Sequence, residues 1–234
     1  MLRRITSGLP RVAKATGSAV SLLRCARDIR LLNGNSNLLE LARFCFQYPI
    51  RPQQVREELI GLFEIVSALQ PKSAMEIGTC AGGTLFMTCR VADPNATVIS
   101  VDLPGGRFGS GYVWPRRFVY RGFAGKNQAL HLLRRNSHDV KTNDLVRSLL
   151  RGRQLDFLFI DGDHTYDGVR ADFEMYAPLV RSGGIVAFHD IAKHPQETGC
   201  EVDRFWNEIK LAYRHLEIVN DPFQGWAGIG VLHI

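Results

Sequence analysis

From residue 53 onward the hydrophobic pattern switches repeatedly between two periods. Leu59, Leu62, Phe63, Val66 and Leu69 recur at three- and four-residue spacing, which predicts a helix with one buried face, and Pro71 ends it. Short apolar or β-branched runs follow at Ala74–Ile77, Ala96–Leu103, 129–134, Leu155–Ile160, Ile185–Phe188, 215–219 and 227–234. Between them lie helical patterns at 84–91, near 116–123, near 142–150, along the stretch whose apolar face is Tyr166, Val169, Phe173 and Val180, and near 201–213. Gly78–Gly83, Asp93-Pro94-Asn95 and Ser182-Gly183-Gly184 supply turns. Strands alternating with helices predict an α/β fold with a doubly wound, mostly parallel sheet of seven strands. About seven residues, with Asp221-Pro222 and Gly225 among them, separate the last two strands. That is too short for a helical crossover, so the final strand is expected to run antiparallel.

Ahead of this pattern the chain reads differently. Residues 31–50 carry apolar clusters (Leu38, Leu39, Leu41, Phe44, Phe46) and stop at Pro49 and Pro52, which suggests a small helical cap. Two parts are expected: residues 1–52, a basic arm with that cap, and residues 53–234, the α/β domain. The net charge of +6 lies wholly in residues 1–30, where seven basic side chains face one acid, while the remainder holds equal numbers of each sign. A solvated or loosely helical arm is the favoured reading. Organelle targeting and contact with an anionic membrane surface are also compatible with an arginine-rich leader. The neutral remainder carries no basic-aromatic pattern for nucleic acid, and no apolar run reaches the eighteen or so residues that span a bilayer. Five cysteines, odd in number and without a CxxC pair, suggest neither a disulfide framework nor a zinc site, so a cytoplasmic setting is the default. Residues 31–52 are suited to pack on a second copy of the chain.

Chemistry first gathers at MEIGTCAGGT, between the strand at 74–77 and the following helix. Gly78 permits a tight exit, and Gly82 and Gly83 let backbone approach a ligand at a helix N-terminus. Asp102 ends the next strand 24 positions after Gly78, where a carboxylate can accept both hydroxyls of a ribose. A dinucleotide fingerprint would want glycine where Cys80 stands. A bulkier turn preceded by Glu76 suits an amine-bearing, cationic ligand.

With E-I-G-T-C-A-G-G, V-D-L, N-S-H-D, I-D-G-D-H-T-Y and G-G-I-V-A-F-H-D in order, residues 55–234 resemble the class I S-adenosylmethionine-dependent methyltransferases. The resemblance is to the branch of catechol-type O-methyltransferases and cephalosporin-hydroxylase-like enzymes. It implies strand order 3-2-1-4-5-7-6. It also implies S-adenosylmethionine as cofactor, with Glu76, Gly78, Thr79 and Gly82 bordering its methionine part, Asp102 its ribose, and Ser137 and His138 its adenine. A helix cap is the alternative role for Ser137 and His138.

A second cluster follows from topology. Leu155–Ile160 ends in Asp161, and Ile185–Phe188 ends in His189-Asp190. If these strands are neighbours, their ends meet at one edge, and two close carboxylates call for a proton or a cation between them. In the resembling families an acid from the first strand end and an acidic pair from the second hold a divalent ion, usually magnesium. Here Asp161, His189 and Asp190 take those places, with a histidine that tolerates manganese or iron better than magnesium. His164 stands where catechol-type enzymes place a general-base lysine, and Asp163 or Asp167 is positioned to orient it. Asp161 would border both cofactor and acceptor.

The expectation is methylation of a hydroxyl on a small acceptor of sugar, polyketide or phenol type, assisted by a divalent metal. The alternatives are nitrogen or carbon methylation on the same fold, a nicotinamide-dependent oxidoreductase, or a non-catalytic binding protein. Tyr112 and Trp114 in the loop 104–115 suit a lid, and Trp226 a pocket wall or core packing.

Overall fold

The computed structural model describes residues 10–32, 36–47, 49–105 and 116–234, with side chains from residue 20 onward. The lid expectation for Tyr112 and Trp114 and the basic residues Arg3 and Arg4 lie outside the described residues.

Seven strands form one sheet in the order β3-β2-β1-β4-β5-β7-β6. They are β1 (Ser73–Ile77), β2 (Thr97–Val101), β3 (Ala129–Leu133), β4 (Leu155–Ile160), β5 (Val180–His189), β6 (Arg214–Ile218) and β7 (Ile229–His233). The first five run parallel, and β7 is antiparallel to both β5 and β6, as the short final connection requires. Every residue of β1 and β2 is buried. Both faces of these strands are covered, which is why they read as continuous apolar runs rather than alternating ones.

The pleat sends successive side chains into two separate cores. Phe157 and Phe159 of β4 pack with Leu59, Leu62, Phe63 and Val66 of α3 (Arg56–Leu69) and Phe86 of α4 (Gly83–Val91). Leu158 and Ile160 face the other way, toward Val146 of α6 (Val140–Leu150), Val169 and Phe173 of α7 (Tyr166–Tyr176) and Phe205 of α8 (Val202–Ile209). Helix α3 ends at Gln70, whose left-handed backbone (φ +46°) turns the chain into Pro71. Helix α8 stops at Ile209 and gives way to a single 3-10 turn over Lys210–Ala212, shorter than the periodicity suggests.

Two features depart from the sequence reading. Ser182-Gly183-Gly184 does not precede β5 but lies inside it. From Leu155 to Phe157 on β4, the paired residues on β5 run from Val180 to Ile185, so the glycine segment loops out as a bulge. The N-terminal arm is helical from Pro10 to Leu31 (α1), and its second half is docked rather than solvated. Cys25, Ala26 and Ile29 enter the same core as α2 (Leu38–Gln47) and α3, and Arg90 of α4 donates to the Ile29 carbonyl (3.0 Å). The apolar stripe responsible is short and sits among arginines, which obscures it in the composition. Among the described residues no helix is long and apolar enough to cross a membrane.

Candidate active site

The carboxyl ends of β1, β2, β4 and β5 open onto a single cavity of about 800 Å³, where ligands bind in open α/β sheets. Its size is ordinary for a small-molecule site. Around it stand Gly78, Thr79, Cys80, Thr84, Asp102, Ser137, His138, Asp161, His164, His189 and Asp190, so the rim unites both sequence clusters.

The glycine turn is shaped by two close approaches. Gly78 has φ +89°, and a Cβ there would collide with the Asp161 carbonyl. The two strand ends are also tied together, since Asp161 N donates to the Ile77 carbonyl (2.8 Å). Gly82 (φ +93°) lies against the ring of Tyr120 on α5 (Arg116–Tyr120), which a Cβ would meet at 2.6 Å. Cys80, in the place of the fingerprint's middle glycine, adopts the left-handed backbone that glycine favours (φ +44°). That conformation aims the Cys80 amide at Asp102 Oδ2 (3.1 Å), while Tyr120 donates to the Cys80 carbonyl (2.7 Å).

Glu76 and Gly82 do not reach the cavity wall. Glu76 lies behind Thr84, whose hydroxyl donates to its Oε2 (2.9 Å), and its Oε1 has no hydrogen-bond partner. Complete burial pushes this carboxyl up to about 8, against the smaller opposing effect of its threonine hydrogen bonds. Ser137 and His138 do line the cavity, and neither caps a helix: Asp139 caps α6 by accepting from Lys141 N (3.0 Å). Tyr176 donates to the Ser137 carbonyl (2.8 Å), and His138 Nε2 lies 3.3 Å from Asp172, an acid on α7 with no exposure.

At the other end, register brings the acids together. Ile160 pairs with Phe188, so Asp161 emerges beside His189. Asp190 follows with φ +63°, a left-handed turn that aspartate tolerates. His164 sits between the two acids, with Nε2 3.4 Å from Asp161 Oδ1 and Nδ1 3.1 Å from Asp190 Oδ2. His189 Nδ1 lies 3.2 Å from an oxygen of each. Asp163 does not orient His164 as expected from sequence: its Oδ1 accepts from the Thr165 amide and hydroxyl, and Thr165 in turn caps α7. The ring is held instead by the acid pair.

Electrostatics follow from this packing. Burial disfavours the charged imidazoles, but the two carboxylates outweigh it, raising His164 and lifting His189 to about 10. Burial likewise works to raise Asp161 and Asp190, and the facing imidazoles overcome it and hold both below the usual carboxylate range.

Asp161, His189 and Asp190 each offer a ligand atom within 4.8 Å of the others. His189 is nearly fully buried, yet neither ring nitrogen has a properly directed hydrogen bond. Two carboxylates converging on one buried imidazole form a cation-favouring pocket in which a metal ion can take the place of the imidazole's proton, so these residues fit one.

Gln54, His194 and Cys200 were not singled out from sequence. Gln54 donates to Asp161 Oδ2 (2.6 Å) from the segment before α3, and His194 Nε2 lies 3.2 Å from Asp190 Oδ1. A third histidine four positions after Asp190 was the available signal. Trp226, 45% exposed, lines the cavity rather than packing in the core.

The sheet order and the ligand edge define the class: the fold is that of the class I S-adenosylmethionine-dependent methyltransferases. A family model for the methyltransferase domain matches residues 75–191, half of the chain, and the chain belongs to that family. It is similar to an uncharacterized protein, y4gI, of Sinorhizobium fredii, at 29% identity over 178 residues. That match takes in 72% of this chain and 18% of the relative, so the chain spans less than a fifth of the relative's length. Among solved structures it is similar to the O-methyltransferase of Bacillus cereus in complex with S-adenosylhomocysteine (TM-score 0.58, 13% identity, 93% of this chain and 91% of that one). The O-methyltransferase TomG of Streptomyces achromogenes, involved in tomaymycin synthesis and solved with S-adenosylmethionine, is similar at TM-score 0.56 and 17% identity, over 92% and 89% of the two chains.

Proposed function

We propose that the chain methylates a hydroxyl group of a small acceptor, using S-adenosylmethionine. The observation that carries this reading is the placement of His164 between Asp161 and Asp190, in the same cavity as the glycine turn and Asp102. When bound, the cofactor would supply an electrophilic methyl group from its sulfonium and would leave as a neutral thioether that keeps the electron pair of the carbon–sulfur bond.

Asp102 is placed to accept the ribose hydroxyls, and the 78–83 turn brings backbone against the methionine part. Ser137 and His138 stand at the adenine end. With Nδ1 held by Asp190, His164 in its neutral form takes the acceptor's hydroxyl proton on Nε2, the nitrogen with the longer carboxylate contact, and so frees the oxygen lone pair to attack the methyl carbon. Asp161 and Asp190 hold the ring in place and stabilise the imidazolium so formed. Holding the acceptor in line accounts for most of the acceleration such a reaction needs, roughly 7–11 kcal/mol for a well-oriented pair. Asp161, His189 and Asp190 would hold a divalent ion, which would lower the pKa of the acceptor hydroxyl. Trp226 offers an aromatic wall on the acceptor side.

Titration calorimetry tests the cofactor. S-adenosylhomocysteine is expected to bind and NAD not to, and the reverse result would end the methyltransferase reading in favour of an oxidoreductase.

A further inference from the structure

Two more donor side chains reach the acid pair from a segment that the sequence does not connect with it. After β5 the chain makes two backbone bonds to the β6–β7 connection, Ile191 N to Gly228 O (3.3 Å) and Ala192 N to Ala227 O (2.9 Å). It then turns through a 3-10 segment at Gln196–Thr198 and a left-handed Gly199 (φ +67°). The Glu201 amide, donating to the His164 carbonyl (2.8 Å), brings the segment back against the site. His194 and Cys200 are delivered by this path. His194 Nε2 is buried 3.2 Å from Asp190 Oδ1 with no directed hydrogen bond. Cys200, His164 and Asp190 form a second set whose donor atoms all lie within 4.8 Å of one another.

The donors around Asp190 are thus two carboxylates, three imidazoles and a thiol. Magnesium favours near-octahedral oxygen ligands and keeps several waters, whereas imidazole and thiolate favour zinc, cobalt, iron and nickel. His189, itself 4% exposed, sets its Nδ1 between the two acids and leaves its Nε2 without a hydrogen bond, a buried imidazole that points to the same class of ion. We infer that the imidazole and thiol donors of these two adjoining sets, which share Asp190 and have His194 set against it, make this a site for a borderline transition-metal ion of the zinc and cobalt class rather than for magnesium. The inference rests on the reading of Asp161 and Asp190 given above and adds the identity of the ion. It also goes beyond the sequence reading, in which the cysteine spacing suggests no zinc site, since Cys200 gains its neighbours through the fold and not through a CxxC spacing.

The test is equilibrium dialysis of the metal-stripped full chain against zinc, cobalt(II) or magnesium, with metal analysis and, for cobalt, the absorption spectrum. S-adenosylhomocysteine binding is measured in parallel. Stoichiometric uptake of zinc and cobalt in preference to magnesium, with a thiolate-to-cobalt charge-transfer band, is the expected result. Cys200→Ser removes that band, and His194→Gln lowers cobalt affinity by about tenfold or more. Magnesium uptake as tight as cobalt uptake overturns the inference, and so does a cobalt spectrum that Cys200→Ser and His194→Gln leave unchanged. S-adenosylhomocysteine binding without any ion uptake also overturns it, while leaving the methyl-transfer reading in place. Ion uptake without S-adenosylhomocysteine binding supports the metal site and sinks the methyl-transfer reading.

Discussion

At the glycine-turn end of the cavity the ligand-facing surface is largely backbone, set by positive φ angles at Gly78, Cys80 and Gly82 within one contiguous stretch. At the acid end it is side chains, delivered by the ends of β4 and β5, the loop between β4 and α7 and the 191–200 segment. The first end tolerates little change in shape, because strands and rings press on it from behind. The second tolerates little change in charge, because Asp161 and Asp190 share their neutralising partners, His164 and His189. Shape is therefore a short-range property of one motif, and charge balance a property of the assembled sheet edge.

Four substitutions probe this contrast, taken from the largest expected effect downward. Gly78→Ala pushes a methyl group into the Asp161 carbonyl and strains a backbone at φ +89°, damaging both ends at once. A loss of about 3 kcal/mol or more in urea unfolding is expected, with S-adenosylhomocysteine binding lost. A stable variant that still bound would show that the ends are not mechanically joined.

His164→Ala should act on the acid end alone. Turnover is expected to fall about 10²- to 10⁴-fold, with S-adenosylhomocysteine affinity nearly unchanged. Equal losses in both would remove His164 as the base.

Glu58→Ala touches neither end directly. The fully buried Glu58 carboxylate on α3 accepts from Asn220 N (2.9 Å), Gln224 Nε2 (2.7 Å) and Gly228 N (2.9 Å), so it pins the β6–β7 connection that carries Trp226. Its removal leaves three donors short of a partner and should cost about 2–3 kcal/mol of stability. The KM for the acceptor is expected to rise more than kcat falls, and unchanged Trp226 fluorescence would show that the connection is held by other contacts.

Glu76→Gln isolates a buried charge behind the glycine turn. With its folded pKa near 8 and an ordinary unfolded value, the native protein binds the extra proton between about pH 4.5 and 8. Stability should therefore fall as pH rises through that window, on the order of 3–5 kcal/mol, and Glu76→Gln should flatten the slope. Parallel urea curves at pH 5 and pH 8 for both proteins provide the measurement.

The readable parts of the fold were those with a local physical cause. The stripe of Leu59, Leu62, Phe63 and Val66 is buried by α3, and Leu155–Ile160 forms β4 with the expected bounds. The antiparallel β7 followed from loop length alone. The bulge at Gly183 was not readable, because a glycine pair looks the same before a strand and within one until the neighbouring register is known. Docking of α1 was missed because Cys25, Ala26 and Ile29 make a narrow stripe among basic residues. In the site, Asp161, His164, His189 and Asp190 were foreseen as a group from strand ends, while Gln54 and Cys200 were not. Gln54 reaches Asp161 across 107 positions, a pairing that no local pattern encodes.

By itself, the sequence determined the alternation of strands and helices, the position of the glycine turn and which strand ends carry acids. Hydrophobic period, turn chemistry and chain connectivity act over a few residues and are written along the chain. Tertiary structure alone decided which imidazoles lie between Asp161 and Asp190, that Asp163 braces the capping Thr165 while the acid pair holds His164, and that Cys200 joins them. Those outcomes depend on distances of 3–5 Å between segments far apart in the chain, which only the register of the sheet and the path of the loops establish.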